Sequence, residues 1–180
     1  MEGIKPILEN LPAELLVIDT GSTDGTVEAT LEYGARVVEF PWCDNMSAAR
    51  NTGIFHAKGL WYLSIDDDEW FENVDDIIEF FKSGKYKEYE FAAYIQRNYT
   101  TADGKCYDDY YTTRMAKITK ELHFEGRIHD AYIGITDKNR YFIPAIANHQ
   151  GFQRISQEGK CRGKWGSILW TAAEFLSVLP

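Results

Sequence analysis

A chain of 180 residues, 44% of them hydrophobic, is long enough for one domain with a buried core and too apolar for disorder. Its net charge of −9 argues against a nucleic-acid partner, because phosphate backbones are held by clustered cations. That charge still leaves room for one phosphorylated small ligand held through a metal. Three widely spaced cysteines, Cys43, Cys106 and Cys161, form no Cys-x-x-Cys and read as free thiols of a reducing compartment. No signal-peptide pattern or apolar stretch of membrane-spanning length is visible, so a cytoplasmic location without a transmembrane segment is expected.

The sequence opens on "EGIKPILENLPAE", which reads as a helix. "ELLVI" (14–18) is too short for a helix and reads as a buried strand. "DTGSTDGT" is turn chemistry, with Asp24 or Ser22 as cap of a helix over about 25–33 that Gly34 ends. "ARVVEF" (35–40) is a second strand. Ser47 is placed to cap a helix over about 48–58, stopped by Gly59. "LWYLSI" (60–65) is a third strand that runs into the acids Asp66, Asp67, Asp68 and Glu69. "NVDDIIEFFKSG" (73–84) is an amphipathic helix. This alternation predicts parallel β-α-β units in an α/β layered fold.

The pattern then changes. "EFAAYIQRNY" and "CYDDYYTTRMAKI" read as an antiparallel pair around the turn "TADGK". "HFEGRIHDAYIGI" and "NRYFIPAIANHQGF" mix loop and strand, and 162–178 is helical in composition. The tryptophans Trp42, Trp61 and Trp70 are expected mostly in the core.

Open α/β sheets bind ligands beyond the carboxyl ends of their strands. Asp19 ends the first apolar strand and the acid run ends the third, so both can meet at one edge. Carboxylates converging there suit Mg²⁺ or Mn²⁺ shared with substrate phosphates. A solvated acidic loop that caps the next helix is the alternative. "DTGSTDGT" is either a phosphate loop or a plain turn; it lacks the Lys of a P-loop. Arg50 and Asn51 in "SAARNTG" suit a phosphate and a base edge, or else a surface Arg with a local Asn bond. "FEGRIHDAY" brings Arg127, His129 and Asp130, with the carboxylate a candidate general base. His149 in "NHQGF" is a candidate metal ligand. His56 and His123 have no such context.

Taken in order, "LLVIDTGSTDGT", "FPWCDNMSAARNTGIFHAKGLWYLSIDDDEWF", "HFEGRIHDAY" and "ANHQGF" resemble glycosyltransferase family 2, from about residue 14 to residue 152. The subgroup with "W-x-D" before "S-x-A-R-N", which builds bacterial surface polysaccharide or lipopolysaccharide core, is most similar. The resemblance implies a GT-A-like mixed sheet flanked by helices and one catalytic domain over 1–180. It implies inverting, metal-dependent transfer from a nucleotide-sugar, UDP-linked by preference, to a saccharide or lipid-linked saccharide hydroxyl. It assigns Asp19, Arg50, Asn51 and Asp66 to the nucleotide-sugar, Asp68 and His149 to the metal, and Asp130 to deprotonation of the acceptor. Its location would be cytoplasmic, at most peripheral to the inner membrane.

One departure from the family stands out: the strand expected ahead of "KPIL" is absent from the sequence. Such a domain would be N-terminally truncated and would expose unpaired strand backbone. Another segment fills the gap, a second chain fills it by homo-oligomerisation, or donor binding is lost. Weakened or absent turnover is the expectation, and a catalytically weak binding or assembly module is the alternative function.

Overall fold

The computed structural model describes residues 2–66, 69–101, 104–127 and 130–149, together with the backbone of 172–178. A single turn of 3-10 helix (Glu2–Ile4) leads into α1 (Lys5–Asn10). Then come β1 (Ala13–Asp19), α2 (Thr26–Glu32), β2 (Arg36–Glu39), α3 (Met46–His56) and β3 (Trp61–Asp66). A short strand that begins at the last acid of the run, β4 (Glu69–Phe71), precedes α4 (Asp75–Lys82). The rest is β5 (Phe91–Tyr99), β6 (Tyr107–Lys117), the small hairpin β7 (Phe124–Glu125) and β8 (Ala131–Tyr132), β9 (Arg140–His149) and β10 (Ala172–Val178).

Eight strands form one mixed sheet in the order β2-β1-β10-β3-β6-β5-β9-β4. β1 and β2 are parallel, as are β5 and β9, whereas β10, β6 and β4 run against their neighbours. It follows that β1, β2, β3, β5 and β9 point the same way. Their last residues, Asp19, Glu39, Asp66, Tyr99 and His149, therefore share one rim.

Every residue of β3 is buried, because helices or loops cover both faces. On one face α1 and α4 pack over Leu15, Val17, Trp61, Leu63 and Ile65. α4 buries Ile77, Ile78, Phe80 and Phe81, and the Trp61 ring meets Phe80 and Phe81 edge-on at 5.4 and 6.0 Å. On the other face α3 and the β7–β8 hairpin cover Leu16, Ile18, Tyr62 and Phe91, with Phe124 and Tyr132 nearly in contact at 4.0 Å between centroids.

The sheet corrects several expectations. Residues 172–178 are a strand, where composition suggested a helix running to 178; residues 150–171 lie outside the described ones. The Ala, Glu and Leu of this segment favour a helix only weakly, and tertiary pairing overrides such preferences. β10 pairs along all of β1, from Ala13↔Val178 to Asp19↔Ala172, and along β3, from Trp61↔Val178 to Asp66↔Ala173. Both neighbours would otherwise carry open ladder groups. β10 thus lies in the sheet between β1 and β3.

Smaller corrections follow. The cap of α3 is Asn45, whose side chain accepts from Ala48 N at 3.1 Å, and Ser47 lies inside the helix. Trp61 is buried, but Trp42 and Trp70 are each 38% exposed. Cys43 and Cys106 are free and exposed, and Cys161 lies outside the described residues. Among the described residues no helix is long and apolar enough to cross a membrane.

Candidate active site

Asp19 and Asp66 stand on the shared rim with one strand between them, since their β10 partners are the adjacent Ala172 and Ala173. Two strand spacings put their backbones roughly 10 Å apart. After Asp19 the chain leaves the sheet through Gly21, whose φ of 118° favours glycine. One oxygen of Asp19 accepts from Gly21 N at 3.4 Å, Ser22 N at 2.9 Å and the Ser22 hydroxyl at 2.5 Å. "DTGS" is thus an Asx-type turn that fixes the carboxylate at the strand end. Asp24 accepts from Thr26 N just ahead of α2.

Asp66 is buried, at 4% exposure, and its two oxygens are held by different guanidinium groups. Arg50 donates to Oδ1 at 2.6 Å and Arg114 to Oδ2 at 2.9 Å. Burial alone would push this carboxyl up; Arg114 and then Arg50 outweigh it and bring the carboxyl from 3.8 down to about 2. Glu69, the first residue of β4, accepts from Asp66 N at 3.1 Å through Oε2. Its Oε1 makes no hydrogen bond among the described residues and lies 3.7 Å from Arg114. Burial raises the Glu69 carboxyl, the Asp66 charge adds to the rise, and Arg114 opposes it. The shift moves Glu69 toward its neutral form, which brings the cluster nearer to charge balance.

Arg50 is 3% exposed. Besides Asp66 it donates to Ser64 Oγ at 3.1 Å, and its Nε forms an ion pair with Asp130 Oδ2 at 2.8 Å that lacks hydrogen-bond alignment. The guanidinium also lies 5.5 Å from the centre of the Phe124 ring. The phenols of Tyr62 and Tyr132 line the same space, and burial raises both well above their ordinary range, so they are neutral donors. Tyr62 donates to Arg50 O at 3.3 Å and Tyr132 to Arg114 O at 3.4 Å.

"SAARN" works as a clamp. Ser47, Arg50 and Asn51 are three and four residues apart, so they share one helix face. Ser47 donates to Gly126 O at 2.5 Å. Asn51 donates to Phe124 O at 3.0 Å and accepts from Phe124 N at 2.7 Å. Arg50 takes Asp130. All three side chains therefore bind the 124–130 segment to α3. That spacing was visible in the sequence and signals a shared target, but the target itself was not.

The expected residues distribute as follows. Asp19, Asp66 and His149 stand on one rim. Arg50 joins Asp66 to Asp130. Asn51 holds the backbone of β7, and a cavity of about 430 Å³ beside it is lined by Asn45, Ser47, Phe124 and Arg127 among others. His149 pairs with Glu69 between β9 and β4, and its Nδ1 is 2.9 Å from Asn98 Oδ1. Asp67, Asp68 and His129 lie outside the described residues. Arg114 drew no notice in the sequence because nothing about "TTRMAK" distinguishes it. Among the described residues no three His, Cys, Asp or Glu side chains cluster as metal ligands. With both Asp66 oxygens gripped by cations, a metal here would rest on other donors.

Over 56 residues, 31% of this chain, the sequence is 48% identical to a TPR repeat-containing protein of Synechococcus elongatus. The match covers 14% of that protein's length. The glycosyl transferase family 2 profile matches residues 3–129, a span that takes in Asp19, the α3 clamp and Asp66 and stops one residue before Asp130. With that match over most of its length, and a mixed α/β sheet whose acids share one rim, the chain belongs to glycosyl transferase family 2.

Proposed function

We propose that the chain is a metal-dependent glycosyltransferase that binds a UDP-linked sugar at the rim bearing Asp19 and Asp66 and transfers it with inversion to a saccharide hydroxyl. The observation that carries this reading is the convergence of two strand-end carboxylates at one rim, a strand apart. Asp19 and Asp66 would receive the nucleoside's hydroxyl and base donors. Asp68 would hold Mg²⁺ or Mn²⁺, and the cation would offset charge on the diphosphate leaving group. Asp130, at the far side of Arg50, would accept the acceptor's proton. A role in surface-polysaccharide assembly is an expectation that rests on family likeness.

A second reading has one observation in its favour. Asp130 is nearly buried, at 10% side-chain exposure, and its charge is already met by Arg50. A carboxylate so enclosed presents little surface to an acceptor hydroxyl, which suits a binding module that keeps the fold and loses turnover.

Thermal-shift titration with UDP and Mn²⁺ tests the first reading. Ligand at a hundred times its dissociation constant stabilises by about 2.7 kcal/mol. Asp68→Ala should erase the shift, and Asp130→Asn should leave it intact while abolishing transfer. No UDP-dependent shift in the parent protein would end the proposal; a shift without transfer from any nucleotide-sugar would favour the second reading.

A further inference from the structure

A β-bulge decides where Arg114 points. Along the β5–β6 pair, Ala92 faces Met115 and Ala93 faces Thr113, so Arg114 is the extra residue with no partner in the register. Bulges re-aim a side chain and are frequent beside active sites. Here the extra residue turns its guanidinium toward the end of β3. It reaches Asp66 at 2.9 Å and Glu69 at 3.7 Å, the last residue of β3 and the first of β4. Its side chain is 16% exposed and theirs are 5% and 0%. Burial disfavours its charge, but Asp66 and Glu69 more than restore it, so Arg114 stays protonated.

We propose that Arg114 is a positioning residue for the donor end of the site, holding Asp66 and Glu69 so that the Asp66 carboxylate has one fixed orientation. This rests on the reading of the rim as a donor site. Each carboxylate oxygen has two lone pairs. Arg50 and Arg114 occupy one on each oxygen and leave one on each for a hydroxyl of the donor. A carboxylate held from two sides presents those acceptors without the entropy cost of ordering it on binding. Arg50 alone would leave the Oδ2 side of Asp66 unheld and Glu69 with only its bond from Asp66 N. The Asp66 and Glu69 carboxyls would then share one cation, Arg50, which of the two contacts only Asp66.

The test compares the parent with Arg114→Lys and Arg114→Met by two measurements. The first is calorimetric affinity for UDP with Mn²⁺, taken well below each variant's melting temperature. The second is amide hydrogen exchange at Asp66 and Glu69 relative to Leu63. Arg114→Met should weaken UDP by roughly ten-fold or more, the lower end of what losing a partner costs where it orients a metal ligand. Protection at Asp66 and Glu69 should fall while Leu63 stays protected. Arg114→Lys, a single charge without the fork, should recover part of both. If Arg114→Met does not fold, the Lys variant decides by the same two measurements. Unchanged affinity together with unchanged exchange would overturn the proposal. If the parent binds no UDP, the donor reading fails and the exchange result alone judges whether Arg114 orders Asp66 and Glu69.

Discussion

Replacing Arg50 with methionine is the sharpest test of how the site is held. The substitution keeps much of the side-chain volume and removes one cation from between Asp66 and Asp130. Side-chain exposures are 4% for Arg50, 5% for Asp66 and 10% for Asp130, so solvent screens little of the interaction. Breaking one buried pair typically costs about 3–5 kcal/mol, because the abandoned charge stays buried. Arg114 still grips Asp66, which limits its share, while Asp130 loses the one cation within ion-pair distance among the described residues. An overall loss of about 3 kcal/mol follows, or roughly 6–12 °C in melting temperature for a domain of this size. Urea unfolding of the parent, Arg50→Met, Asp130→Asn and the double variant measures it as a cycle. The double variant should recover about 1 kcal/mol or more relative to the sum of the singles. Lys5→Met serves as control, since the Lys5–Glu9 pair is 4.0 Å apart with both side chains more than half exposed, and should change stability by about 0.5 kcal/mol or less. A parent-like Arg50→Met, or strict additivity with Asp130→Asn, would refute the account of Arg50 as the joint between β3 and the 124–130 segment.

Two further predictions concern pH and topology. The Asp66 carboxyl is depressed from 3.8 to about 2, so its stabilisation is complete above pH 3.8 and is lost as pH falls toward 2; the amount is about 2 kcal/mol. Glu69 is shifted the other way, so its protonation on acidification favours the fold and offsets part of that loss. Stability measured from pH 6 to 2 should therefore fall less steeply in Asp66→Asn and more steeply in Glu69→Gln, and a reversed order would show that the two shifts are misassigned. Truncation after residue 171 removes β10 and bares β1 and β3 in the middle of the sheet. Size-exclusion chromatography should show association or aggregation and calorimetry a broadened transition; a monomer with the parent's melting curve would mean that β10 is not what closes the sheet.

The amino-acid order alone determined the parts that depend on near neighbours. The apolar runs at 14–18 and 60–65 are short and end in acids, so strands with carboxylates at their carboxyl ends follow from burial and chain direction. The periodicity of "DDIIEFFK" and the positive-φ Gly84 after it likewise fix α4. The order of motifs along the chain was enough for the family. What only the tertiary structure decided involves partners far apart in sequence. Ala, Glu and Leu in 172–178 suit a helix in isolation, yet two open ladders on β1 and β3 make a strand of them. Arg50 reads as a phosphate ligand from its type, yet the charges nearest to it in space are Asp66 and Asp130, 16 and 80 positions away. Arg114 carries no local signal at all, because a bulge in pairing with β5 aims it. Electrostatic pairing and strand register depend on distance in space, and a linear pattern encodes that distance only where chain neighbours are also spatial neighbours.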